Sequence, residues 1–117
     1  MIQVKGEIKE NGYIISSSGH ASHDVCVSIS AIINTLRQYV EDQERYGNAK
    51  INEIKYKFGE TLIDFDISNE SRQQIIADVI KAFMQGIKLY QNEFPDEIRL
   101  WEVSSFWWGY PQKYTLL

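Results

Sequence analysis

The chain is poor in three features that assign many proteins to a class: cysteine, long apolar runs and an excess of basic charge. A single cysteine among 117 residues excludes an internal disulfide and is typical of a reducing compartment. No run of 18 apolar residues occurs, so no membrane-spanning helix is expected. The N-terminal stretch MIQVKGEIKENG lacks the apolar segment of a signal peptide. We therefore expect a cytoplasmic protein that does not act in a membrane.

The charge balance argues against a nucleic-acid partner. Twelve basic and 16 acidic residues give a net charge of −4, whereas phosphate binding needs a basic face. Lys50, Lys55 and Lys57 form only a small local cluster, which is typical of a solvated strand face. A hydrophobic content of 44% is that of a folded protein, and the length fits a single domain over residues 1–117.

Hydrophobic periodicity predicts two strands and a helix in the first half of the chain. Residues 2–8 and 13–15 are predicted strands, joined by a hairpin turn at Asn11-Gly12 because both residues tolerate positive φ. Three- and four-residue steps then predict a helix, with Ser22 or Asp24 as N-cap and its end at Gly47-Asn48. Its predicted buried stripe consists of Val25, Ile29, Ile32, Ile33, Leu36 and Val40.

The second half repeats this order and adds a final strand. Strands over residues 51–58 and 61–67 are joined at Gly59-Glu60, and residues 97–103 form the last strand. A second helix opens at Ser68 or Asn69 and ends before Pro95. Its predicted buried face consists of Ile75, Ile76, Val79, Ile80, Phe83, Met84 and Ile87. The order β-β-α-β-β-α-β predicts an α+β fold, in which two helices pack on an antiparallel or mixed sheet of about five strands.

Both histidines and the only cysteine fall within the stretch SSSGHASHDVC, residues 16–26. Cys26 is expected in the first turn of the first helix, where free backbone N–H groups and the helix dipole favour a thiolate and can hold an oxyanion. His20 is expected at the end of a strand, across a short loop, where it could take the thiol proton. Asp24 would oppose a thiolate unless its carboxylate faces the histidine instead.

Two other interpretations of this stretch stay open at this point. A lone cysteine on a helix is usually a small buried hydrophobe, and a Gly-His turn is usually structural. His20, His23 and Cys26, at three-residue steps, could hold a soft metal ion. They supply only three ligands, and no second cluster occurs elsewhere, so neither a metal nor another cofactor is expected.

Two segments carry a resemblance to a known family. SGHA closing a strand, followed by DVCVSISAI opening a helix, resembles the ribosomal-processing cysteine protease family of Firmicutes and related bacteria. Gly19, His20 and Ala21 match the family's turn, and residues 83–103 look like its helix end, Tyr/Phe-Pro and final strand. The helix start is matched in register by Cys26, Ile29, Ser30 and Ala31.

The resemblance implies a homodimeric α+β protein that cuts peptides with a Cys-His dyad. Cys26 would be the nucleophile and His20 the base, with Gly19, Asp24 and Ser30 in supporting roles. The family removes a short N-terminal extension from a protein of the large ribosomal subunit, and phage structural proteins with a similar extension are also cut. An extended N-terminal peptide of a ribosomal or phage protein is therefore the expected partner.

The chain departs from the family pattern in three places. Five residues separate His20 from Cys26, where the family has a longer glycine-containing loop, and Asp24 stands two positions before the cysteine rather than three. A catalytically silent relative that binds a protein partner is therefore the alternative function.

An aromatic C-terminal extension, residues 104–117 (SSFWWGYPQKYTLL), lies beyond the family's usual end. It is expected either to cover the domain's own core or sheet edge, or to form an association surface.

Overall fold

A computed structural model describes residues 1–57 and 59–104, and within them two helices pack on one face of a five-stranded sheet. The predicted order β-β-α-β-β-α-β and the α+β class are confirmed. The elements are β1 (Ile2–Lys9), β2 (Gly12–Ser18), α1 (His23–Arg45), β3 (Ala49–Lys57), β4 (Glu60–Ile67), a 3₁₀ turn (Glu70–Arg72), α2 (Gln73–Glu93) and β5 (Ile98–Ser104).

The sheet is mixed, with the spatial order β3-β4-β2-β1-β5. Three neighbouring pairs are antiparallel, and β5 returns from α2 to lie parallel to β1. Helix α1 lies over the β3 side of the sheet, α2 lies over the β5 side, and the two helices contact each other. This arrangement places the β2–α1 junction next to both the β3–β4 turn and the start of β5.

The core lies between the helices and the inner face of the sheet. Alternate strand residues such as Val4, Ile15 and Phe65 point into it and are almost fully buried. The stripe predicted for α1 is buried apart from Ile32, which is partly buried. In α2 the buried residues are Ile76, Ile80, Met84 and Ile87. The prediction that Ile75 is buried is wrong, because its side chain is 49% exposed on the neighbouring face of the helix.

The hairpin between β1 and β2 forms where it was predicted, but for a different physical reason. The turn is Glu10-Asn11, and Gly12 already pairs with Lys9. Among the described residues only Gly19, Gly47 and Gly59 have positive φ. Gly12 is needed instead because β4 approaches closely: an added Cβ would lie 2.1 Å from the carbonyl oxygen of Phe65.

Within the described residues, neither helix combines the length and apolar character that crossing a bilayer requires. Of the aromatic extension predicted for residues 104–117, only Ser104 is among the described residues. The part played by that extension therefore stays a prediction.

Candidate active site

The junction between β2 and α1 is built around a glycine. Gly19 has a φ of 96°, and a Cβ at this position would lie 2.2 Å from the carbonyl oxygen of Met1. Only glycine fits both conditions, because side chains disfavour positive φ and the neighbouring backbone leaves no room. The chain can therefore turn sharply from the end of β2 into α1, whose N-cap is Ser22.

Three hydrogen bonds from separate parts of the fold hold this junction. The Met1 ammonium donates to the His20 carbonyl oxygen at 2.6 Å. The Gly19 N–H donates to the Gly59 carbonyl oxygen at 3.0 Å. The Ser22 N–H donates to the Glu97 carboxylate at 2.8 Å. Hydrogen bonding from the Ser22 side chain and from this N–H, helped by the nearby N-terminal charge, lowers the pKa of Glu97 below its usual 4.5. The short segment that carries His20 is thus fixed at both ends.

Cys26 lies in the first turn of α1, as predicted, with its side chain half-buried beside the core. The Ala21 N–H donates to its Sγ at 3.2 Å, and the Sγ lies 3.4 Å from the Ala21 carbonyl oxygen. A sulfur atom accepts from an N–H group as a thiolate and donates weakly to a carbonyl as a thiol. The residue next to His20 therefore offers a partner to both protonation states of the cysteine.

His20 and Cys26 line the same cavity, which has a volume of about 390 Å³. Its apolar wall comes from residues of β1 and α1, and its polar rim from the adjoining ends of β2, β3 and β4. The lining residues are Ile2, Ser17, Gly19, His20, Cys26, Ile29, Ser30, Ile33, Tyr56, Lys57, Gly59, Glu60 and Thr61. Apolar pockets with a few convergent polar groups are the usual form of a binding site.

The wall of the cavity between β3 and α1 is formed by Tyr56. Its hydroxyl donates to the Ser30 carbonyl oxygen at 3.4 Å, and the Arg37 guanidinium lies 5.0 Å from the centre of its ring. Ser30 itself is exposed and lines the cavity. The contact of Ser30 with Tyr56 is made by its backbone carbonyl oxygen. The supporting role predicted for Ser30 stays a prediction.

Of the five residues singled out in the sequence, four line this cavity: Gly19, His20, Cys26 and Ser30. Asp24 is exposed on the first turn of α1 and is not among the lining residues, so its supporting role stays a prediction without such a contact. Within the described part of the chain, no three His, Cys, Asp or Glu side chains are grouped to hold a metal ion.

Sequence reasoning missed three residues that shape the junction: Tyr56, Gly59 and Glu97. Gly59 was recognised only as a turn glycine, and nothing in its own segment signals that the turn faces His20. The free backbone N–H groups of the first helical turn were predicted to be able to hold an oxyanion. The Cys26 N–H instead donates to the Ser22 carbonyl oxygen at 2.9 Å, so it is engaged within the helix.

No family model matches the chain, and no curated protein matches it. Solved structures do match. The essential ribosomal processing protease Prp from S. aureus, in complex with a covalently linked product peptide, is 22% identical with a TM-score of 0.64, over 87% of this chain and 99% of that one. The chain shares the fold of a ribosomal processing protease.

Two further solved structures agree. The same S. aureus protease in complex with a substrate peptide gives 17% identity and a TM-score of 0.62, over 87% of this chain and 99% of that one. SMU.848 from Streptococcus mutans gives 16% identity and a TM-score of 0.63, over 90% of this chain and 96% of that one. At these identities the likeness to Prp is one of fold alone.

Proposed function

We propose that the protein is a cysteine endopeptidase of the ribosomal-processing type. The single observation that supports this proposal most is that His20 and Cys26, a base and a nucleophile, line one cavity at a strand-to-helix junction. The fold shared with Prp, which was solved with peptides, adds weight to a peptide as the substrate class. The substrate proposed from the resemblance is the N-terminal extension of a ribosomal or phage structural protein, and the proposed compartment is the cytoplasm.

The chemistry divides one difficult displacement into two easier steps. His20 takes the proton of the Cys26 thiol as the sulfur attacks the scissile carbonyl carbon. The C–N bond then breaks, the amine leaves with the proton held by His20, and a thioester to Cys26 remains. Water, deprotonated by His20, then attacks the thioester carbonyl carbon. The C–S bond breaks, the carboxylic acid product leaves, and His20 returns the proton to the Cys26 sulfur.

The direct test is cleavage of a peptide that spans the junction between such an extension and the mature protein. Cys26→Ala should abolish cleavage and leave the fold intact, because a small half-buried side chain is replaced by a smaller one. His20→Gln should reduce kcat by on the order of 10²–10⁴-fold, which is the usual cost of losing a general base. The products and their rates are measured by mass spectrometry.

The matched control is His23→Gln, which makes the same chemical change at an exposed position in the first turn of α1. It should leave the rate unchanged. A larger loss in His23→Gln than in His20→Gln would move the base to His23, and continued cleavage by Cys26→Ala would reject Cys26 as the nucleophile.

A second candidate is favoured by the short spacing of five residues between His20 and Cys26. In that case the protein is a catalytically silent relative, which uses the same cavity to bind an extended peptide. It would bind the peptide without cutting it, with equal affinity in the Cys26→Ala variant. Calorimetric binding together with intact peptide after prolonged incubation identifies this candidate, and the appearance of two products excludes it.

A further inference from the structure

The turn between β3 and β4 contacts the His20 side chain directly. A Cβ atom added to Gly59 would lie 2.5 Å from Cε1 and 2.8 Å from Nε2 of the imidazole. The same glycine accepts the 3.0 Å hydrogen bond from the Gly19 N–H. Backbone and ring are therefore both placed by one residue of a hairpin that is distant in sequence.

We infer that Gly59 is a positioning residue, whose bare backbone is the surface against which the His20 imidazole is held. Any side chain at this position would overlap the ring and force it to shift from its present place. The role of this surface in orienting a base rests on the proposed function. The contact itself does not, and it can be tested without any substrate.

A positive φ alone does not explain the glycine at position 59. Gly59 has a φ of 80°, which by itself favours glycine. Gly47, at the end of α1, has nearly the same φ of 78°, but an added Cβ there would meet nothing within 4 Å. The two glycines thus share the backbone requirement, and only Gly59 carries the additional contact with the imidazole. The chain therefore contains its own control for backbone strain.

The experiment compares Gly59→Ala with Gly47→Ala by NMR of the His20 ring protons. Both variants strain a turn at positive φ, and only the first adds an atom against the imidazole. The His20 ring signals should shift strongly in Gly59→Ala and stay within experimental error in Gly47→Ala. In the unmodified protein, a nuclear Overhauser effect should connect an α-proton of Gly59 with Hε1 of His20. That measurement decides the contact even where an alanine variant does not fold.

The same variants are then assayed for peptide cleavage. Gly59→Ala should lower kcat by on the order of 10²-fold with KM little changed, because a misplaced base impairs the chemical step more than binding. Gly47→Ala should cleave at the normal rate. Combining Gly59→Ala with His20→Gln should add little to the loss in His20→Gln alone, since the surface acts through the ring.

The outcomes separate this inference from the proposed function. Absence of the Overhauser effect between assigned signals, or equal ring shifts in the two alanine variants, would overturn the positioning role. Ring signals that respond as expected in a protein that cuts no peptide would support the contact and reject the peptidase. A normal cleavage rate in Gly59→Ala, with the ring displaced, would show that the ring position does not matter to catalysis and would overturn the inference.

Discussion

At the scale of single residues, Glu97 is the carboxylate that connects the start of β5 to the start of α1. Its oxygen accepts from the Ser22 N–H at 2.8 Å. Hydrogen bonding from the Ser22 side chain and from this N–H lowers the pKa of Glu97 below its usual 4.5. A carboxyl group whose pKa is lower in the folded than in the unfolded protein stabilises the fold at pH values above its unfolded pKa. That contribution is lost as the pH falls from about 4.5 through the lower folded pKa.

Glu97→Gln should therefore lower stability near neutral pH and have no such effect in strong acid. The amide oxygen of glutamine can still accept from Ser22, but it carries no charge and its bond is weaker. Thermal unfolding of both proteins at about pH 7 and about pH 2 measures the difference. Glu93→Gln, at an exposed position near the end of α2, is the matched control. A constant difference between Glu97→Gln and the parent at all pH values would contradict the assignment.

At the scale of the elements, Gly86 is an unusual residue in the middle of α2. An added Cβ would lie 3.8 Å from Cδ1 of Ile32 on α1, which is an ordinary van der Waals contact. Glycine inside a helix costs about 0.5–1 kcal/mol relative to alanine, because it loses more backbone freedom on folding. The gap between the two helices has room for a methyl group, so packing does not require glycine at this position.

Gly86→Ala should therefore raise the free energy of unfolding by about 0.5–1 kcal/mol. Gly12→Ala provides the opposite case, because its Cβ would collide with the β4 backbone, and it should lower stability by about 1–3 kcal/mol. Urea denaturation of the three proteins measures both changes. A destabilised Gly86→Ala would contradict the inference that this gap has room for a methyl group.

At the scale of the whole molecule, the fold could be predicted because its signals are local. The alternation of β1, the three- and four-residue steps of α1 and the glycine at position 47 each act within a few residues. That His20 and Cys26 lie near each other at one cavity was also predictable, since only five residues separate them in the sequence. The contacts of Tyr56 with Ser30 and of Glu97 with Ser22 span 26 and 75 positions. Only the packed sheet brings such residues together, and no local pattern encodes them.

The same limit applies to which faces of the molecule stay uncovered. Both helices pack on one face of the sheet, and a groove of about 610 Å³ lies on its outer face. One row of paired residues crosses this face from strand to strand: Trp101 on β5, Lys5 on β1, Ser16 on β2 and Leu62 on β4. Trp101 is 42% exposed, with the Arg99 guanidinium 4.5 Å from the centre of its ring. Aromatic and arginine side chains are the residues that most often dominate association surfaces.

The homodimer implied by the family resemblance should therefore bury this outer face. Light scattering at micromolar concentration should give the mass of two chains. Trp101→Ser should shift the equilibrium toward single chains, because it removes the largest exposed aromatic side chain of the row. Leu89→Ser is the control, since Leu89 is 66% exposed on α2 in the helical layer. Dissociation by Leu89→Ser with an intact Trp101→Ser dimer would place the interface on the helices, and a mass of one chain for the unmodified protein would reject the dimer.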